Sequence, residues 1–197
     1  MFRYIVVFAA ALAAAPSSVG RESSGTPPVA SELAQLGRGI GNATLVDDTG
    51  ATMRWDELHG RPRAVFFGFT HCPVICPVTV WEIDAALKKI GVGGDKIQVV
   101  FVTLDPARDT PKVLKDYFSG FNGLVRGMTG TQTQVDRIAK AFEVSHERVA
   151  LMGGDYTLDH TAAVFLLDAK GSVVDTIGYG TPQEQTVARL RRLLGAK

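Results

Sequence analysis

Cys72 and Cys76 are the only cysteines in the sequence, and three residues separate them. A disulfide that staples a fold joins distant segments, because closing a long loop constrains the unfolded chain most. A bridge across three residues constrains very little. The pair therefore reads as chemistry: a redox-active disulfide, or two thiolates aimed at a metal.

Two converging thiolates favour soft or borderline ions such as Cu(I) and Zn(II), and they need at least one further ligand. The histidines available are His59, His71, His146 and His160. His160 is the leading candidate, because it lies just before the apolar run Ala162 to Leu167. Asp159 beside it is a candidate acceptor for the imidazole's other N–H. A polar loop histidine that caps a turn is the alternative, and spacing does not choose between them. His71 adjoins the cysteine pair and is a candidate auxiliary or partner-contact residue. His59 and His146 are expected in solvent. Met128 and Met152 are expected to pack or turn the chain rather than bind an ion.

Elements must position these groups. Arg63 to Phe69 holds an unbroken apolar run, which predicts a central strand buried on both faces. A loop over Thr70 to Ile75 follows, and Pro77 fits the first turn of a helix running to Ile90. Val80, Ile83, Leu87 and Ile90 form its apolar stripe, and Trp81 and the neighbouring phenylalanines are assigned to the core. Cysteines where a buried strand hands over to a helix meet free N–H groups and a helix dipole that favour thiolate. Ile97 to Leu104 reads as the next buried strand. Asp105 ends it, and Asp109 or Thr110 caps a helix opened by Pro111. Thr131 to Phe142 predicts an amphipathic helix, Val144 to Val149 a strand, and Met152 to Tyr156 a turn or hairpin tip. Ala162 to Leu167 and Val173 to Ile177 form a hairpin around Asp168 to Gly171, and Pro182 to Leu194 is a last helix. This order implies an α/β fold, a mixed sheet with helices on both faces. If the strand at Ala162 runs antiparallel to the central one, His160 faces the cysteine loop.

The chain has 197 residues, enough for one domain and a leader. Residues 1–20 carry Arg3 and an apolar run from Ile5 to Ala15, the pattern of a secretory signal peptide, with an uncleaved anchor as the alternative. Residues 21–39 are rich in Ser, Gly, Pro and Ala and are expected to be a flexible linker. Structure is expected to begin near Gly41, with residues 40–197 as the domain. Without the leader, acidic and basic residues are equal in number, which argues against nucleic acid and against an anionic membrane as partner.

Three blocks carry a resemblance to a known family. They are Gly68 to Pro77, Val102 to Pro111, and Tyr156 to Gly171, with a weaker block at Gly127 to Gly130. In these the chain, from about residue 40 to 194, resembles the Sco/SenC family of copper-binding proteins involved in cytochrome c oxidase assembly. The resemblance implies a thioredoxin-like fold and copper, as Cu(I), Cu(II) or both, on Cys72, Cys76 and His160. It implies a metallochaperone rather than an enzyme, exported to the periplasm or anchored facing it. Its partner would be the copper-site subunit of a cytochrome c oxidase or another copper acceptor, with an upstream copper donor. Asp105, at the carboxyl end of a strand, and Asp159 are candidates to support the ligands. Thr161 stands where the family more often has Ser. The competing function is a thiol–disulfide oxidoreductase that reduces a copper-site partner through a Cys72–Cys76 disulfide. Thioredoxin relatives use Cys-x-x-Cys and a proline in the facing loop; Asp159-His160-Thr161 offers none.

Overall fold

The computed structural model describes residues 30–195. Strand β3, Arg63–Gly68, is buried at every position. Successive side chains of a strand point to opposite faces, so Phe66 and Phe67 enter two different cores. Phe66 meets Phe101 edge-on at 5.0 Å. Phe67 meets Phe142 at 5.4 Å and Phe165 at 6.0 Å.

Around β3 lies a seven-stranded mixed sheet, in the order β2-β1-β5-β4-β3-β8-β9. Here β1 is Thr44–Asp47, β2 is Thr52–Arg54, β4 is Gln98–Thr103 and β5 is Val125–Thr129. The last two are β8, Ala163–Leu167, and β9, Val173–Gly178. Strands β3, β4 and β5 run parallel, and β8 is antiparallel to β3 with Phe66 opposite Val164. The carboxyl ends of β3 and β4 and the start of β8 therefore share one edge. Two helices, α1 (Ala30–Leu33) and α4 (Gln132–Ala141), cover one face through Leu33, Val135 and Ile138. Three others, α2 (Ile75–Ile90), α3 (Pro111–Tyr117) and α5 (Gln183–Gly195), cover the other through Ile83, Leu114 and Leu190. The fold is the expected thioredoxin-like sheet flanked by helices on both faces.

Four details differ from expectation. The packed chain starts before Gly41, because Leu33 buries its side chain and Gly37 N–H donates to the Ala141 carbonyl at 2.7 Å. The linker assignment therefore fails for residues 30–39; the leader and residues 21–29 lie outside the described residues. Trp81 is 64% exposed, since it sits one position off the inward stripe of α2. Strand β6, His146–Ala150, pairs with a strand that the apolar pattern does not reveal, β7, Tyr156–His160, in a separate ribbon. Leu158 is its one buried residue, so no alternation marks it. His146 is half-buried, with Nε2 3.2 Å from Asp136, while His59 is exposed as expected.

Leu33→Ala is expected to lower stability by about 2 kcal/mol, the cost of removing a large buried side chain. A shift in the denaturant midpoint measures this; an unchanged midpoint would mean that α1 does not belong to the domain.

Candidate metal centre

Strand β3 ends at Gly68, and this glycine is a matter of space. A Cβ there would lie 2.5 Å from Cys76 Sγ and 3.0 Å from the Phe101 ring. Cys76 is the second residue of α2, so its sulfur is pressed against the end of the central strand. The residue at the helix N-cap, Val74, has no side-chain acceptor to offer. Cys72 Sγ takes that role, accepting the Cys76 N–H at 3.4 Å.

This arrangement separates the two thiols. The hydrogen bond from the Cys76 thiol draws the Cys72 pKa down to about 5; burial opposes it, and backbone N–H groups of residues 74–76 add to it. The same bond, with burial, pushes the Cys76 thiol well above its ordinary value. Cys72 is thus the thiolate and also the outer sulfur, 8% exposed against 2% for Cys76.

His160 closes β7, facing this pair. Its Nε2 lies 4.0 Å from Cys76 Sγ and its Nδ1 3.0 Å from the Thr161 carbonyl oxygen. A carbonyl only accepts, so Nδ1 carries the proton and Nε2 presents its lone pair toward the sulfur. The Phe69 ring meets the imidazole edge-on at 5.9 Å. The ligand atoms of Cys72, Cys76 and His160 all lie within 4.8 Å of one another, and the described residues hold no other such group of His, Cys, Asp or Glu. Bonds of roughly 2.0–2.3 Å to a shared ion would space these atoms about 3.5–4.0 Å apart in a trigonal set, so the trio has to close by no more than about an ångström to hold a metal. Asp159 is exposed, and a backbone oxygen has the orienting place proposed for it. Met128 is buried, and Met152 is fully exposed at the ribbon's tip.

The turn after β4 grips both sides of this centre. Asp109, fully buried, accepts from Thr70 N–H at 3.0 Å and from the Thr70 hydroxyl at 2.6 Å, and from the Thr103 hydroxyl at 2.6 Å. It thereby ties the cysteine loop to β4, while Thr110 alone caps α3. Asp105, buried, pairs with Arg108 and accepts the Tyr156 hydroxyl at 2.8 Å. The Arg108 guanidinium lies 3.7 Å over the Tyr156 ring and donates to the Tyr156 carbonyl at 3.0 Å. Asp105 therefore reaches the site through β7, whose far end carries His160, and through Arg108, whose guanidinium lies 6.0 Å from the Phe69 ring centroid. The sequence offers Asp109 or Thr110 as the helix cap, of which Thr110 is the one, and marks no role for Thr70 or Tyr156. Contacts 39 and 51 residues apart leave no local signal.

Gly68→Ala is expected to cost about 1–3 kcal/mol through overpacking and to displace Cys76; thermal or denaturant unfolding measures it. In the reduced protein, alkylation of Cys72 is expected to rise through about pH 5 and to level off by neutral pH. Peptide mapping of the alkylated protein identifies the thiol. A rate still climbing above about pH 7.5, as for an ordinary cysteine, would contradict the assignment.

Comparison with known proteins gives the family of the chain. The SCO1/SenC family model matches residues 34–195. Protein SCO2, mitochondrial, of Saccharomyces cerevisiae is 35% identical over 162 residues, covering 79% of this chain and 53% of that protein. Protein SenC of Rhodobacter capsulatus is 31% identical over 172 residues, covering 87% of this chain and 76% of that protein. The chain thus spans about half the length of the yeast relative. Among solved structures, Bradyrhizobium japonicum ScoI with copper bound superposes with a TM-score of 0.70 at 35% identity, covering 76% of this chain and 96% of that one. With the match running across the sheet, the cysteine loop and His160, this chain belongs to the SCO1/SenC family.

Proposed function

We propose that the protein carries one copper ion on Cys72, Cys76 and His160 and delivers it to, or prepares, the copper site of a respiratory cytochrome c oxidase. The observation that carries this reading is the convergence of two sulfurs and one lone-pair nitrogen within 4.8 Å. Two thiolates and one imidazole in a trigonal set suit Cu(I), and Cu(II) would recruit a further ligand. The copper bound in the Bradyrhizobium relative supports the choice of ion. Copper here is cargo, received from an upstream donor and passed to an acceptor. Export to the periplasm, or anchoring at its membrane face, follows from the leader pattern. Among the described residues no helix is long and apolar enough to cross a membrane.

One observation favours a second activity. Cys72 is held as a thiolate with the Cys76 backbone 3.4 Å away. The pair could reduce a partner's disulfide: two thiols become one disulfide, the partner's disulfide becomes two thiols, and two electrons pass between them.

Copper titration of the reduced protein, followed by ultraviolet-visible spectra, tests the main reading. One ion per chain is expected. Cys72→Ala and Cys76→Ala are expected to abolish binding, and His160→Ala to weaken it roughly 10–100-fold, with the greater loss for Cu(II). Undiminished Cu(II) affinity in His160→Ala would remove the nitrogen ligand from the assignment. Turnover of a partner disulfide without copper would establish the second activity.

A further inference from the structure

Strand β7 belongs to a ribbon of two strands, so one of its edges is turned away from β6. In an antiparallel pair, residues that exchange hydrogen bonds alternate with residues whose N–H and C=O point outward. Leu151 N–H donates to the Asp155 carbonyl at 2.8 Å, and Thr161 N–H to the Ser145 carbonyl at 3.0 Å. The odd-numbered residues of β7 therefore bond to β6, and Tyr156, Leu158 and His160 turn their backbone groups to the outer edge. Tyr156 bears this out: its carbonyl accepts from Arg108, whose guanidinium lies 6.0 Å from the Phe69 ring centroid. The outer edge thus faces the cysteine loop. Among the described residues, nothing bonds to the N–H or C=O of Leu158 or His160. Between that edge and the loop lies a cleft of about 240 Å³, lined by Leu158 and His160 on one side and by Cys72, Val74 and Ile75 on the other. Val74 is exposed, and Cys72 is the outer of the two sulfurs. His71 is exposed, sets its Nδ1 3.2 Å from the Thr70 hydroxyl, and does not line this cleft.

Backbone groups away from water are costly without partners, and a row of them along a strand edge is a template for another strand. Only an extended backbone offers donors and acceptors in the matching alternation. Resting on the copper reading above, we propose that the cleft docks an extended segment of the copper acceptor as a third strand on β7, which pairs with Leu158 and His160 and brings a cysteine side chain to Cys72. Two thiolates hold a soft ion, so the donor that takes it must itself be soft, as a cysteine sulfur is. Backbone pairing supplies affinity whatever the segment's sequence, and the apolar wall at Val74 and Ile75 selects the neighbouring side chain. Docking places the arriving sulfur at the outer ligand, on the side of the centre that the cleft leaves open.

The probe is a peptide, Thr-Val-Thr-Cys-Thr-Val-Thr with blocked ends, its cysteine activated as a disulfide with thionitrobenzoate. Attack by Cys72 joins the two cysteines and expels coloured thionitrobenzoate, so absorbance gives the rate on the copper-free wild-type protein. The peptide is N-methylated at one residue at a time, and each rate is divided by that of the same peptide with mercaptoethanol. Losses of about three- to tenfold are expected at alternate residues, with changes within about twofold between them, the effect of removing single hydrogen bonds. In Cys76→Ser, which keeps the joined product, hydrogen exchange at the Leu158 and His160 amides is expected to slow by about tenfold or more. The amides of His146 and Arg148, on the ribbon's other edge, are expected to stay unchanged. A scan without alternation would overturn the proposal, as would protection at His146 and Arg148 in place of Leu158 and His160. Protection that grows with protein concentration in the absence of peptide would give the edge to a second copy and overturn it too. Alternation in a protein that takes up no copper would keep the docking strand and overturn the copper reading alone.

Discussion

A carboxylate with no exposed surface is costly unless its oxygens are met by donors. Asp109 meets that condition with three: the Thr70 N–H, the Thr70 hydroxyl and the Thr103 hydroxyl. Two come from the cysteine loop and one from the end of β4. Satisfying the buried charge therefore obliges the loop to stay docked on the sheet, which keeps Cys72 under the open N-terminus of α2. A few residues earlier in the same turn, Asp105 and Arg108 hold Tyr156 and with it the strand that ends in His160. The sulfur side and the nitrogen side are thus referred to one short segment, residues 105–109.

The sheet supplies what that segment cannot. Because β3 is covered on both faces and paired on both edges, its end at Gly68 is among the most fixed points of the backbone. Placing Cys76 in contact with it means that the inner sulfur inherits the rigidity of the core. Antiparallel pairing of β8 then returns the chain to the same edge, and so brings residue 160 to residue 76 across the whole second half of the domain. The hydrogen-bonded sulfurs take on different protonation as a result of this fixed geometry rather than of any nearby cation.

What could be read from the sequence follows a physical division. Elements that bury side chains wrote their pattern plainly: the run through Phe66 and Phe67, the stripe Val80, Ile83, Leu87, and the hairpin around Asp168. The spacing of Cys72 and Cys76 declared chemistry because it makes so poor a staple. His160 was a plausible ligand by position, and family resemblance raised it above the alternative. What stayed hidden depends on few buried side chains or on backbone atoms. Strand β7 buries only Leu158, so nothing marked it as a strand. The imidazole is oriented by a carbonyl, which every residue has, so no residue type marks its partner, and the neighbouring Asp159 is a false cue. Leu33 and Leu36 both pack on the core, but a segment of one helical turn is too short for their spacing to stand out beside the Ser, Gly and Pro that precede it.

The ribbon of β6 and β7 lies outside the main sheet, with most of β6 facing water. A two-stranded ribbon has little stability of its own, and segments with few buried contacts open at lower free energy than the core. On the proposed copper assignment, the three ligands are mounted on parts of unequal durability: two sulfurs at the core-anchored entry to α2 and one nitrogen on the ribbon. The coordination number of a bound ion would then gauge local order, three with the ribbon in place and two with the ribbon opened from a fold still standing.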